Sequence, residues 1–205
     1  MKLFLSSYFA ETATLLKACL NENMQGKTVA FIPTAARVEQ ADFYVDEARA
    51  AWRALGVNIE ETDAAVLNAE QLAEKLRRCH YIYVSGGNTF YLLEQLRLKQ
   101  ADGVIRQQIA EGKPYIDESA GSMILAGNLA YAREMDDAAA AASAGDTGLG
   151  IIGICPLPHD GEYPFADVTA LIRQKYAFLP LYPLNNKQAV FIDSDKGIQT
   201  TVEAV

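Results

Sequence analysis

The segment Pro114-Tyr115-Ile116-Asp117-Glu118-Ser119-Ala120-Gly121-Ser122-Met123-Ile124-Leu125 reads as a short apolar strand, a turn of small residues and the start of a helix. A serine on such a turn is presented at the carboxyl edge of a sheet, where open α/β folds place their sites. Gly121 supplies one of the small neighbours that let backbone pass close to backbone, while Asp117 stands where the other is usually glycine. The N–H of Ala120 opens the next helix and is placed to donate to an oxyanion. The same residues also suit a serine that only caps a helix.

Working outward, strands and helices alternate. Leu3–Ser6, Thr28–Pro33, Val57–Glu60 and Tyr81–Val84 are short, apolar and rich in β-branched or aromatic residues. Between them Glu11–Leu20, Val38–Leu55 and Ala69–Arg78 carry apolar residues at helical spacing, and Phe90–Leu98 and Ala101–Glu111 follow the fourth strand. Apolar strands separated by helices predict an α/β fold with a mainly parallel sheet covered by helices on both faces. Near the end Leu181–Leu184, Ala189–Asp193 and Ile198–Glu203 are closely spaced around the turn signals Asn185-Asn186 and Asp195-Lys196-Gly197, predicting a C-terminal antiparallel edge. Asp136–Gly150, rich in Ala, Gly and Asp, reads as an irregular loop that could serve as a lid. No repeat or linker divides residues 1–205, so one domain is expected.

Composition narrows the function classes. The formal charge of −8, with no basic cluster beyond Arg77-Arg78, disfavours nucleic acid as a partner. No apolar run approaches the roughly 20 residues of a membrane span, so no membrane is expected. Cys19, Cys79 and Cys155 are odd in number and far apart, which argues against a disulfide framework or zinc knuckle and for a reducing cytoplasm. His159, Asp160 and Glu162 lack the regular spacing of a metal site.

A serine hydroxyl needs a positioned base to act as a nucleophile. The chain has two histidines. His80 begins a strand and so falls at the amino edge. His159, in Ile154-Cys-Pro-Leu-Pro-His-Asp-Gly-Glu162, follows an apolar run and emerges at the carboxyl edge, unless it is simply a loop histidine beside two prolines. After the fourth strand comes Ser85-Gly86-Gly87-Asn88-Thr89-Phe90. Its glycines allow close approach to a ligand, and the N–H of Gly87 paired with that of Ala120 would form an oxyanion hole. A plain strand-to-helix turn capped by Asn88 is the alternative reading. Neither Gly-x-Gly-x-x-Gly nor Gly-Lys-Ser/Thr is present, so no nucleotide cofactor is expected.

Phe31-Ile-Pro-Thr34, Gly86-Gly-Asn-Thr-Phe90, Tyr115-Ile116 with Glu118-Ser-Ala-Gly121, Pro158-His159 and the closing strands resemble the peptidase E family. This family comprises the aspartyl dipeptidases and their cyanophycinase relatives, with a fold related to class I glutamine amidotransferases. The resemblance implies a serine-type dipeptidase in which Ser119 is the nucleophile, His159 the base, and Gly87 and Ala120 the oxyanion hole. Gly86, Asn88 and Thr89 would line the substrate site. The family's orienting acid falls on Asn186, with Asp193 as fallback beside Asp195. Asparagine can still accept the imidazole N–H. Around Thr169-Ala170-Leu-Ile-Arg173 the family's aspartate-reading arginine is replaced by Ala170, leaving Arg173 as a substitute in another register. A small peptide substrate, not strictly aspartyl, is therefore expected for a monomer or homodimer. A cysteine-based amidotransferase is disfavoured, because position 119 is serine. A decayed site in a binding or sensing domain is the non-enzymatic alternative.

Overall fold

The computed structural model describes residues 1–141 and 143–204. Its main sheet has seven strands in the order β3-β2-β4-β5-β1-β8-β9. These are β1 (Lys2–Ser6), β2 (Thr28–Ile32), β3 (Asn58–Glu61), β4 (Tyr81–Val84), β5 (Tyr115–Glu118), β8 (Gln188–Asp193) and β9 (Ile198–Glu203). The first five pair in parallel, and β8 and β9 add antiparallel to β1 and to each other. The expected mainly parallel sheet with an antiparallel edge is the one observed.

Strand alternation divides the core. Leu3, Leu5, Ala30, Ile32, Ile82 and Val84 face one side, against α3 (Ala69–Arg78), α4 (Thr89–Leu98), α5 (Ala101–Ala110) and the short α6 (Ala120–Met123). Phe4, Val29, Phe31, Tyr81, Tyr83 and Ile116 face the other, against α1 (Phe9–Leu20) and α2 (Phe43–Ala54). That second layer is aromatic. Phe9 stacks on Trp52 at 5.0 Å between ring centroids, and Tyr83 meets Phe9 at 4.9 Å and Phe31 at 4.8 Å. Such pairs add about 0.5–1.5 kcal/mol each beyond the area they bury.

Two expectations need correction. The helix read over Val38–Leu55 is a 3-10 turn at Thr34–Val38 followed by α2 from Phe43, since Glu39 at its C-cap is extended. Leu181–Leu184 is not part of the antiparallel edge. Its residues Leu181–Pro183 (β7) pair in parallel with Cys155–Leu157 (β6) as a separate two-stranded sheet. The segment Asp136–Gly150 contains a 3-10 turn at Ala138–Ala140, and Ala142 within it lies outside the described residues. The segment is fastened at its base: Asn88 Nδ2 donates to the Asp137 carbonyl at 3.0 Å, and Thr89 N donates to Asp136 Oδ2 at 2.9 Å. Among the described residues no helix is long and apolar enough to cross a membrane.

The turn after β5 has no room to spare. A Cβ added at Gly121 would lie 2.6 Å from the Val84 carbonyl oxygen and 2.8 Å from Asp117 Cβ. The backbone obstacle cannot rotate away, so Gly121→Ala should lower stability by about 1–3 kcal/mol, the usual cost of overpacking. Urea unfolding of the variant checks this; an unchanged midpoint would contradict the packing described.

Candidate active site

Ser119 follows β5 with φ +50° and ψ −106°, a strained conformation for a residue bearing a side chain. The turn is held by backbone. Ser119 N donates to the Ser6 carbonyl of β1 at 2.9 Å, and Ser122 N and Met123 N close on the Ser119 carbonyl at 2.9 and 3.1 Å. Beneath it lies Asp117, fully buried, in place of the usual glycine. One of its carboxyl oxygens takes Ser6 N at 3.1 Å and contacts the Ser122 hydroxyl, while the other has no partner. Burial pushes the Asp117 carboxyl well above the ordinary range, which keeps it protonated. Asp117 therefore braces the turn as a neutral group, in space opened by the missing side chain of Gly121.

His159 sits two residues beyond β6 and Asn186 three beyond β7, so pairing of Leu157 with Pro183 brings them side by side. Leu184 N donates to the Leu157 carbonyl at 2.9 Å, and Asp160 N to the Leu184 carbonyl at 2.9 Å. Ser7, just past β1, ties this arm to the main sheet. Its hydroxyl donates to the Leu184 carbonyl at 2.8 Å and accepts His159 N at 3.2 Å. The imidazole stacks on Phe165 at 4.7 Å with 21° between ring planes.

These supports deliver a linear array. His159 Nε2 lies 3.0 Å from Ser119 Oγ, and Nδ1 lies 2.7 Å from Asn186 Oδ1. Nδ1 donates to the amide oxygen, which leaves Nε2 as an acceptor facing the hydroxyl. Burial lowers the His159 pKa from its usual value, only partly offset by Asn186 and by the charge of Glu162. The ring is therefore a neutral base at neutral pH.

Ser119, His159, Asn186, Gly86, Gly87 and Asn88 share the wall of one cleft of about 840 Å³, within the range of small-molecule sites. Gly87 has φ +127°, and a Cβ there would stand 2.3 Å from the Ala35 carbonyl carbon. Among the described residues the N–H groups of Gly87 and Ala120 have no protein acceptor. Asn88 caps α4 by accepting Tyr91 N at 2.9 Å, so its side chain serves the helix and the adjoining loop.

Three expected site residues lie elsewhere. Thr89 is fully buried behind the wall, with its hydroxyl against Met123 Sδ at 3.7 Å. Arg173 points outward from α7 (Ala166–Lys175) and pairs with Asp160 at 3.3 Å rather than entering the cleft. Asp193, the fallback for Asn186, pairs in register with Lys2 at the amino end of β1, the edge opposite Ser6. Its carboxylate meets Lys196 at 3.6 Å. An antiparallel β8 runs away from the site, so its last residue cannot reach His159. Asp195, in the turn after β8, shares that edge and pairs with the Met1 ammonium at 3.3 Å. His80, as expected, lies at the amino edge, where Nδ1 accepts Thr28 N at 3.1 Å.

Glu118 borders the cleft, although the serine motif drew attention only to its neighbour. It is buried, accepts Phe9 N at 2.8 Å, and is pushed up to about 8 by burial against the pull of the Phe9 and Gly86 N–H groups. Phe165 and Ser7, which hold His159, carry no local signal in the sequence.

Comparison with known proteins shows which family the chain resembles. The sequence model described as Peptidase family S51 matches residues 3–200. An uncharacterized peptidase of Listeria monocytogenes is 41% identical over 192 residues, 93% of each chain. Peptidase E of Haemophilus influenzae is 32% identical over 111 residues, covering 54% of this chain and 49% of its own. The crystal structure of a candidate peptidase E protein from Listeria monocytogenes superposes with a TM-score of 0.93 at 38% identity, covering 100% of this chain and 98% of the other.

Because burial outweighs the Asn186 hydrogen bond and the charge of Glu162, the imidazole should titrate below the ordinary histidine value of about 6.5. Asn186→Asp should raise that midpoint, because a negative charge favours imidazolium. NMR titration of the His159 ring in both proteins checks this, and a midpoint that fails to rise in the variant would refute the geometry.

Proposed function

The chain belongs to peptidase family S51, the serine-type peptidases that include peptidase E, and on that premise we propose that Ser119 and His159 cleave short peptides with Asn186 as the orienting residue. The observation that carries this reading is the 3.0 Å approach of His159 Nε2 to Ser119 Oγ, on a serine with a strained backbone. In the reaction, Ser119 Oγ attacks the peptide carbonyl carbon as its proton passes to His159 Nε2. The N–H groups of Gly87 and Ala120 receive the oxyanion. The imidazolium then protonates the departing amine, leaving an acyl ester on Ser119. Water, deprotonated by the same nitrogen, releases the acid and restores the hydroxyl.

Asn186 fixes the tautomer through its 2.7 Å bond without adding charge. Stabilisation of the imidazolium is correspondingly weaker than with a carboxylate. The absence of Arg173 from the cleft supports a substrate that is not strictly aspartyl. The size of the cleft favours dipeptides or similarly short chains. The free thiols of Cys19, Cys79 and Cys155 fit a reducing cytoplasm.

Ser119→Ala should abolish labelling by a fluorophosphonate probe, and loss of Ser119 or of His159 should each lower peptide turnover by about 10⁴-fold or more, with the double variant no worse than either. Multiplying losses, or undiminished labelling of Ser119→Ala, would reject the assignment. Asn186→Ala should cost about 10²-fold in kcat through misorientation of the base. Unchanged turnover would remove Asn186 from the mechanism.

A further inference from the structure

The cleft wall carries the carboxyl groups of Glu39, Glu118, Asp136 and Asp137, and among the described residues lining it there is no lysine or arginine. Glu118 is 2 % exposed and yet opens into the cleft beside Ser119. It takes part in no ion pair among the described residues. In the same wall the hydroxyl of Tyr44 is buried without a hydrogen-bond partner. Burial, and then the field of Glu39, Glu118, Asp42 and Asp136, pushes the ionisation of that phenol upward. Burial likewise lifts Asp136 to about 6, and among the described residues Glu39, Asp136 and Asp137 also take part in no ion pair. No group of three or more His, Cys, Asp or Glu side chains among the described residues is arranged to hold a metal ion. Carboxyls distributed along a cleft suit an extended organic cation. Its mouth carries the exposed rings of Phe43 and Tyr163, which match the aliphatic stem and charged head of a basic side chain.

We infer that the cleft selects its substrate by positive charge: it prefers a short peptide whose acyl residue carries an ammonium or guanidinium side chain and refuses an acidic one. This rests on Ser119 as the nucleophile. An aspartyl side chain entering the cleft would meet the carboxyls of Glu39, Asp136 and Asp137 with no lysine or arginine in the lining to offset them, and would have to shed its hydration as well. A lysyl side chain supplies the countercharge that the lining itself does not.

The test compares kcat/KM for lysyl-alanine, norleucyl-alanine and glutamyl-alanine, which share a free N-terminus and similar length. Lysyl-alanine should exceed norleucyl-alanine by about tenfold, the scale of one partly buried ion pair, and glutamyl-alanine should fall at least as far below. Glu39→Gln with Asp137→Asn, both at exposed positions, should shrink the lysyl-to-norleucyl ratio by several-fold. Asp136→Asn, which keeps an acceptor for Thr89 N, should do the same. Glutamyl-alanine cleaved as well as lysyl-alanine, or a ratio unmoved in both variants, would overturn the inference. A neutral fluorophosphonate separates the two claims. Labelling of Ser119 without charge preference sinks only the selection. If Ser119 is not labelled, the nucleophile assignment fails, and calorimetric binding of the three dipeptides then decides the preference by the same order.

Discussion

The site depends on the two serines that end β1. The Ser6 carbonyl receives Ser119 N, and Ser7 Oγ bridges the Leu184 carbonyl and His159 N. One strand end therefore holds Ser119 on one side and His159 on the other. Each bond contributes about 1 kcal/mol net, but a buried acceptor left unpaired costs about 1–3 kcal/mol. The larger effect is positional. Serine and histidine follow strands of different sheets, and this junction ties the two together directly. A separation tuned to a hydrogen bond in the resting protein follows from two backbone registers meeting at adjacent residues.

The same junction explains why an aspartate is tolerated where a glycine is usual. Ser6 N and Ser122 turn toward the Asp117 carboxyl, and Gly121 leaves it space. A charged group there would oppose an oxyanion forming nearby. Held neutral, it acts as a shaped polar filler, with one oxygen still unpaired as the residual cost. Below and beside Ser119 the protein thus places two carboxyls, Asp117 and Glu118, whose burial suppresses their charge.

Legibility in the sequence followed the range of the determining interactions. The inner parallel strands were readable because both faces of each are buried, and the elbow because Ser119, Ala120 and Gly121 are three positions of one local turn. Asn186 was reached by resemblance alone, since nothing between Leu184 and Val190 states what the amide will face. Arg173 and Asp193 were misplaced for the same reason. A helix carries an arginine with no mark of which way its face turns, and a strand carries no mark of its direction. Once β8 proved antiparallel to β1, Asp193 had to lie at the far edge. The small β6–β7 sheet was equally hidden, because three-residue strands separated by a helix leave almost no periodic trace. Glu118 went unread because a carboxyl beside a nucleophile takes its character from burial, which is a property of the assembled fold.

The pairing of β1 has a consequence for how the molecule comes into being. Its partners are β5, more than a hundred positions away, and β8, at Gln188–Asp193. Contacts so distant along the chain are slow to close and are made late. On the ribosome the first strand must wait for residues 115–118 before one edge is covered, and for residues 188–193 before the other is paired. His159 and Asn186 arrive in that same final stretch. The polypeptide therefore has no competent hydrolytic centre while it is being made, and acquires one in the step that completes its central sheet. Topology here acts as a timer: Ser119 is made early and meets His159 and Asn186 only when the later strands join.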